Sequence, residues 1–136
     1  MTTDHVAGAF DVVMKPDPHY ENLDGGNVLG RLALGKTFHG ELDATSTVQM
    51  LSAGTAVKGS AGYVAIELVV GRLRGRAGSF VLQHSGTMNR GQASLTVSVV
   101  PDSGTGELAG LAGTMTIDIV DGAHFYRFVY LLAPAA

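Results

Sequence analysis

A single glutamate stands inside an apolar run and is the side chain of this sequence best suited to acid–base chemistry. Glu67 lies in the run Ala-Ile-Glu-Leu-Val-Val, and in a β-strand it shares one face with Tyr63 and with apolar neighbours. A carboxylate placed this way must either pair with a cation or accept a raised pKa on losing its water. A raised pKa would make it a general acid or base near neutral pH. The alternative is a structural ion pair with Arg72, Arg127 or another arginine on a neighbouring strand.

Histidines and tyrosines on other apolar faces could complete a catalytic site. His84 shares a face with two apolar residues of its own strand, His39 follows Phe38, and His124 begins the alternating face that also holds Tyr126. Tyrosine hydroxyls can hydrogen-bond a carbonyl or an oxyanion inside an apolar pocket. For each of these residues the alternative is ordinary packing in the core.

The sequence does not favour a metal or a cofactor. Its five histidines show no His-x-His or His-x-x-x-His spacing. The absence of cysteine excludes disulfides, thiolate ligands and a cysteine nucleophile. We find no Ser-His-Asp order, no nucleophile elbow and no phosphate-binding loop. We therefore expect a protein that works without a cofactor and has no metal site.

The elements that hold these residues are predicted to be β-strands. Apolar residues recur with a period of two, glycine is abundant, and no window has the spacing of an amphipathic helix. Segment 15–27, with its prolines and paired glycines, reads as a long loop, either a lid or a plain surface excursion. Residues 107–111 are expected to form one helical turn, and Asp121-Gly122 a hairpin turn. The predicted strands are 5–14, 28–40, 44–53, 60–73, 78–88, 92–100, 114–120 and 123–132.

Eight strands joined mostly by short turns predict an all-β fold, an eight-stranded antiparallel β-barrel. Successive strands pair as antiparallel neighbours, and closure removes the two exposed edges. A barrel of this size is just wide enough to be filled by side chains or to hold one small ligand. With 136 residues, the chain is expected to form a single domain, 1–136.

The low content of charge indicates that some strand faces are covered. Charged residues make up 15% of the chain, against about a quarter in ordinary proteins. The cover is either a filled interior or a second subunit, and we expect a homodimer. A net charge of -3 argues against nucleic-acid and anionic-membrane partners. The N-terminus lacks the pattern of a signal peptide and no run is long enough to span a membrane, so we expect a cytoplasmic protein.

Three segments of the chain resemble the DUF3224 family of small bacterial proteins. They are KTFHGELDATSTVQML, YVAIELVVGRLRGRAGSFVLQHSG and VVPDSGTGELAGLAG, and the resemblance extends over nearly the whole chain. It implies a fold similar to the allene oxide cyclase barrel, in agreement with the strand count. The family has no settled activity, so the resemblance implies little about function.

Two departures from the family pattern concern the barrel interior. Family members usually carry tryptophans near Met14 and near Val97, whereas this chain has none. If these positions point inward, the resemblance implies an enlarged cavity suited to an apolar ligand; the alternative is a repacked core.

The predicted catalytic residues are Glu67, His84 and Tyr63, and the predicted substrate-binding residues are His39, Tyr126, Phe128, Val97 and Met14.

Two functions from different classes fit these observations. The first is a cofactor-independent isomerase or cyclase that encloses a small hydrophobic substrate and acts by proton transfer and by ordering the substrate. The second is a barrel that binds a small hydrophobic ligand without changing it. A packed barrel that serves only in assembly is a third possibility.

Overall fold

The computed structural model describes residues 3–15, 18–23 and 25–134. It contains nine strands and one short 3-10 helix, Gly106–Leu108. In these residues no helix is long and apolar enough to cross a membrane. The strands are β1 (Thr3–Met14), β2 (His19–Asn22), β3 (Val28–Phe38), β4 (Leu42–Gly54), β5 (Ala61–Leu73), β6 (Arg76–Asn89), β7 (Gln92–Val99), β8 (Ala112–Val120) and β9 (Ala123–Leu131).

Eight of these strands close into an antiparallel barrel, which confirms the predicted fold class. The order is β1-β9-β8-β7-β6-β5-β4-β3, and β1 pairs with β3 to close the ring. In this closing pair Phe10 lies opposite Phe38 and Met14 opposite Leu34. β2 pairs with the first part of β3, where His19 lies opposite Arg31. The likeness to allene oxide cyclase in particular stays an expectation.

The prediction of a long loop over residues 15–27 was wrong in part. The described part of this segment includes β2, which adds four residues to the edge of β3 beyond the reach of β1. Residues 16, 17 and 24 lie outside the described residues. The helical turn also lies slightly earlier than predicted, at Gly106–Leu108.

The central hairpin is tighter than its glycine content indicated. The second strand was predicted to begin at residue 78, but it begins at Arg76, which pairs with Leu73. Only Arg74-Gly75 forms the turn, with positive φ angles of 47° and 80°. Two other glycines, Gly71 and Gly78, lie outside the turn, where neighbouring backbone packs against them. A Cβ would lie 2.3 Å from a backbone oxygen at Gly71 and 2.1 Å from one at Gly78.

The barrel interior has two core clusters, a large one rich in aromatic residues and a small aliphatic one. They are called here the aromatic half and the second half. In the aromatic half the Phe128 ring stacks between Phe80 and Tyr130, with centroids 5.7 and 5.2 Å apart. Leu108 of the 3-10 helix is buried in the same cluster. The other half has a small core of Leu34, Val48 and Ala65. Because few side chains fill this second half, it is the part of the lumen that has space for a ligand.

Candidate active site

Glu67 is completely buried inside the barrel and accepts three hydrogen bonds. Its side chain is 0% exposed. Lys36 Nζ donates to Oε1 across 3.1 Å, and His84 Nε2 lies 2.8 Å from the same oxygen. Ser46 Oγ donates to Oε2 across 2.6 Å. This carboxylate is therefore the centre of a polar cluster in an apolar lumen.

Strand register explains why these four side chains meet. Glu67 points inward from β5, and Ser46 and His84 are its diagonal neighbours on the flanking strands, since they lie opposite Val69 and Ala65 respectively. Lys36 lies on β3 opposite Ser46. Its long side chain reaches past the small serine to the carboxylate, so one lysine, one serine and one histidine converge from three strands.

The pKa of Glu67 is lowered, so of the two alternatives, a paired carboxylate or one with a raised pKa, the structure has the paired one. Burial acts to raise this pKa, but the hydrogen bond from His84, the charge of Lys36 and the hydrogen bond from Ser46 together outweigh it. The carboxyl is thus ionised at neutral pH. Glu67 is paired, but with a lysine rather than with the predicted Arg72 or Arg127; both arginines occupy exposed positions on the outer face.

His84 connects the buried carboxylate to Tyr63. Because an ionised carboxylate only accepts, Nε2 of His84 carries the proton in their hydrogen bond. In the neutral ring Nδ1 is then an acceptor, and the Tyr63 hydroxyl lies 3.3 Å from it. Burial first, and then the negative charge of Glu67, raise the pKa of Tyr63. Tyr63 is accordingly a neutral O–H donor at neutral pH.

A cavity of about 290 Å³ lies over this cluster. Its polar lining groups are Lys36, Tyr63, His84 and His124, and the rest of its wall is apolar. Glu67 is not among the lining residues and would act on a bound molecule through its partners. The apolar lining residues are Phe10, Val12, Leu34, Val48, Met50, Ile117 and Ile119.

A wider apolar entrance adjoins this inner pocket. A second cavity, of about 620 Å³, shares Met50, Tyr63 and Ile119 with it and is also lined by Met88 and Leu95. These side chains continue the inward-facing alternation of their strands but are partly exposed. The two cavities therefore share part of their walls, and both walls are largely apolar.

The structure brings together the three predicted catalytic residues but disperses the predicted substrate-binding residues. Tyr126 and Phe128 are buried in the aromatic half, and the Tyr126 hydroxyl donates to the His39 carbonyl across 2.7 Å. The His39 side chain is exposed and pairs with Asp11 outside the lumen. Val97 is buried opposite His84, and Met14 is exposed at the end of β1. None of these five residues lines the inner pocket.

Sequence reasoning missed two residues of the site, Lys36 and Ser46, and gave no role to a third, His124; each left a signal. Lys36 continues the inward alternation of Leu34 and Phe38, and Ser46 that of β4. His124 begins an apolar face, which was noticed, but it was not counted as a site residue. A polar residue in phase with buried neighbours was the common signal.

The described residues include no group of three or more histidine, cysteine, aspartate or glutamate side chains that could hold a metal ion. Lys36 occupies the side of Glu67 where a cation would approach, at 3.1 Å.

Fold and site together define a small closed β-barrel with an internal Lys–Glu–His–Tyr cluster beneath an apolar pocket. The chain belongs to the DUF3224 family of proteins of unknown function, whose model matches residues 6–130. It is similar to a crystal structure of a DUF3224-family protein of unknown function from Shewanella oneidensis MR-1. The two are 57% identical with a TM-score of 0.90, over 98% of this chain and 100% of the other. No curated protein matches this chain.

Proposed function

We propose that this protein is a cofactor-independent enzyme, an isomerase or cyclase, that moves a proton on a small hydrophobic substrate with a carbonyl group. The observation that carries the proposal is the His84 ring, which lines the pocket, is held at one nitrogen by Glu67 and turns the other toward Tyr63. A carboxylate that fixes the tautomer of a histidine is a recurrent way to make a general base.

The proposed step begins with proton removal by His84. Its hydrogen bond to Tyr63, at 3.3 Å, is longer than the usual range, so a substrate C–H group can take the place of the hydroxyl. The electrons of the C–H bond move into the adjacent carbonyl and form an enolate. Tyr63 and Lys36 line the same pocket and can donate hydrogen bonds to the enolate oxygen.

Glu67 acts as a positioning residue in this scheme. It does not line the pocket and its lowered pKa keeps it ionised, so it holds the His84 tautomer and balances the positive charge that the ring acquires. Glu67→Gln should therefore lower kcat while leaving KM and the circular dichroism spectrum unchanged. An unchanged kcat would contradict this role.

The test of the proposed function uses 2-methyl-1-indanone, a small apolar ketone with one exchangeable proton next to its carbonyl. Each enantiomer is incubated separately in D₂O, and deuterium uptake is followed by mass spectrometry. We expect uptake by at least one enantiomer to exceed that with an equal concentration of free imidazole. We expect His84→Gln to lower this rate about 10²–10⁴-fold, the usual contribution of a general base.

The matched control is His39→Gln, which removes an exposed histidine outside the lumen and should leave the exchange rate unchanged. An uptake no faster than with imidazole for either enantiomer, or an unchanged rate for both enantiomers in His84→Gln, would overturn the proposal.

A second candidate function is ligand binding without chemistry, and the apolar wall of the pocket favours it. The volume of about 290 Å³ lies at the small end of ligand pockets. Native mass spectrometry of the purified protein tests this alternative. A co-purifying apolar ligand that is recovered unchanged after incubation would support binding over catalysis.

We also propose that the protein is a homodimer formed through the outer face of β5. Here Val64, Ile66, Leu68 and Val70 are each 45–51% exposed. The outward residues directly opposite them on β4 and β6 are uncharged: Leu51, Gln49, Thr47 and Thr45 on one side, Ser85, Gln83, Val81 and Ser79 on the other. A charge-free face can pack on its own copy about a two-fold axis without repulsion.

Light scattering tests the proposed dimer. We expect a dimer at micromolar concentration and a monomer for Ile66→Lys, which puts a charge at the centre of this face. A monomeric wild-type protein would overturn it. The cytoplasmic location expected from the N-terminal sequence stays a prediction.

A further inference from the structure

His124 faces the proposed base from the opposite wall of the lumen. It lies on β9, and His84 lies on β6, three places away in the ring of eight strands. Strands separated by three of eight places lie on largely opposite sides of a closed barrel. His124 lines the same cavity of about 290 Å³ as Tyr63 and His84. A ligand in this pocket would therefore have one histidine on each side.

Packing rather than a carboxylate holds the His124 ring. Its centroid lies 5.2 Å from that of Phe10 with the planes tilted by 41°. Among the described residues the histidine–carboxylate pairs are His84 with Glu67 and His39 with Asp11, so His124 is in neither. Without a carboxylate to fix one tautomer, this ring can give or take a proton in the pocket.

We propose that His124 is the second acid–base group of this site and acts on the substrate face opposite to His84. This inference rests on the proposed function. Neutral His84 takes a proton from a carbon next to the carbonyl, and the C–H electrons form the enolate. Protonated His124 then gives its proton to the enolate carbon on the other face. The carbonyl re-forms, and the two rings regain their starting states by exchange with water. One proton is lost and one is gained, and no oxidant or reductant is needed.

This arrangement specifies the class of substrate and of reaction. The substrate is a small apolar carbonyl compound with an enolisable C–H group. The reaction is an isomerisation in which the proton leaves from one face and returns on the other. Inversion at the carbon next to the carbonyl is its simplest form.

The experiment follows each enantiomer of 2-methyl-1-indanone separately in D₂O, measuring deuterium uptake and inversion at once. One enantiomer presents its C–H to His84 and the other to His124. In the wild-type protein both should take up deuterium and both should racemise. In His84→Gln the first enantiomer should stop exchanging, and in His124→Gln the second. In each variant the exchange rate of the affected enantiomer should fall about 10²–10⁴-fold. The other enantiomer should still exchange, but without inversion.

The outcomes separate this inference from the proposed function. If His124→Gln leaves both enantiomers unchanged while His84→Gln still abolishes one exchange, the role of His124 is overturned and the proposed function stands. Equal loss of both exchanges in His124→Gln would also overturn it, because it would show a general effect on the pocket. If the wild-type protein exchanges neither enantiomer faster than imidazole, the proposed function fails and this inference with it.

Discussion

Replacing Lys36 by methionine should destabilise the protein strongly, because it leaves a buried negative charge without its cation. Methionine keeps the length and the apolar contacts of the lysine stem but removes the ammonium group. Glu67 would stay 0% exposed and would keep two of its three hydrogen bonds, those from Ser46 and His84.

The expected cost follows from the burial of both partners. The side chains of Lys36 and Glu67 are 7% and 0% exposed, so this ion pair is screened little by water. Removing one partner of a buried pair costs about 3–5 kcal/mol. We expect the lower end of this range, since two hydrogen bonds remain. Lys36 Nζ also lies 5.0 Å from the Phe10 ring centroid, a contact that contributes about 0.5–2 kcal/mol.

The assay is urea unfolding at pH 7 of the wild-type protein, Lys36→Met, Glu67→Gln and the double variant. The double variant should regain most of the loss, because a neutral glutamine can still accept from His84. The control is Lys58→Met, which removes an exposed lysine and should change stability by less than about 0.5 kcal/mol. At lower pH the deficit of Lys36→Met should shrink as Glu67 becomes protonated.

Two results would refute this reasoning. A cost for Lys36→Met below about 1 kcal/mol would place the pair among exposed ion pairs. Additive effects in the double variant would show that the two side chains do not interact.

Three further predictions concern acid stability, close packing and a buried hydrogen bond. Because folding lowers the pKa of Glu67, its ionisation stabilises the fold above its ordinary pKa of 4.5, and this stability is lost as pH falls through the folded value. Urea midpoints from pH 7 to 3 should thus fall less steeply in Glu67→Gln, and equal slopes would contradict this. Gly86→Ala should cost about 1–3 kcal/mol, because its Cβ would lie 2.6 Å from the Tyr63 ring. In Gly54→Ala the nearest atom is 4.0 Å away, so its Tm should hardly change; equal Tm values for both variants would contradict the packing argument. Tyr126→Phe should cost about 1–3 kcal/mol in thermal unfolding by leaving a backbone carbonyl unpaired, and an unchanged Tm would contradict this.

Much of the fold was predictable because it depends on local patterns. Alternation with a period of two identified eight strands, and Asp121-Gly122 forms the predicted turn with positive φ angles of 51° and 79°. The glycines of the hairpin between β5 and β6 made its turn look longer than it is. Glycine occurs both in turns and at sites of close backbone approach. Composition cannot separate these two uses. Gly78 must lack a side chain because the backbone of residue 105 packs directly against it. This contact forms only in the folded chain.

The site was predictable to the extent that it lies on neighbouring strands. Glu67 and Tyr63 share a face of one strand, and His84 belongs to its hairpin partner, so the sequence brings these three together. Lys36 is separated from Glu67 by a whole strand. Its contact depends on two successive registers, β3 with β4 and β4 with β5. A shift of one residue in either register would turn the lysine outward.

The identity of the cation also decides which residue can do the chemistry. An unpaired Glu67 would have had a raised pKa and could itself have exchanged protons with a substrate. Paired with Lys36 it is ionised, enclosed and saturated by three donors, so it is poorly placed to take a proton. In the proposed reaction His84 takes the proton instead, since its ring lines the pocket and its second nitrogen lies toward Tyr63. For this reason the catalytic hypothesis depends on the histidine, and the carboxylate serves it by fixing its tautomer and its charge.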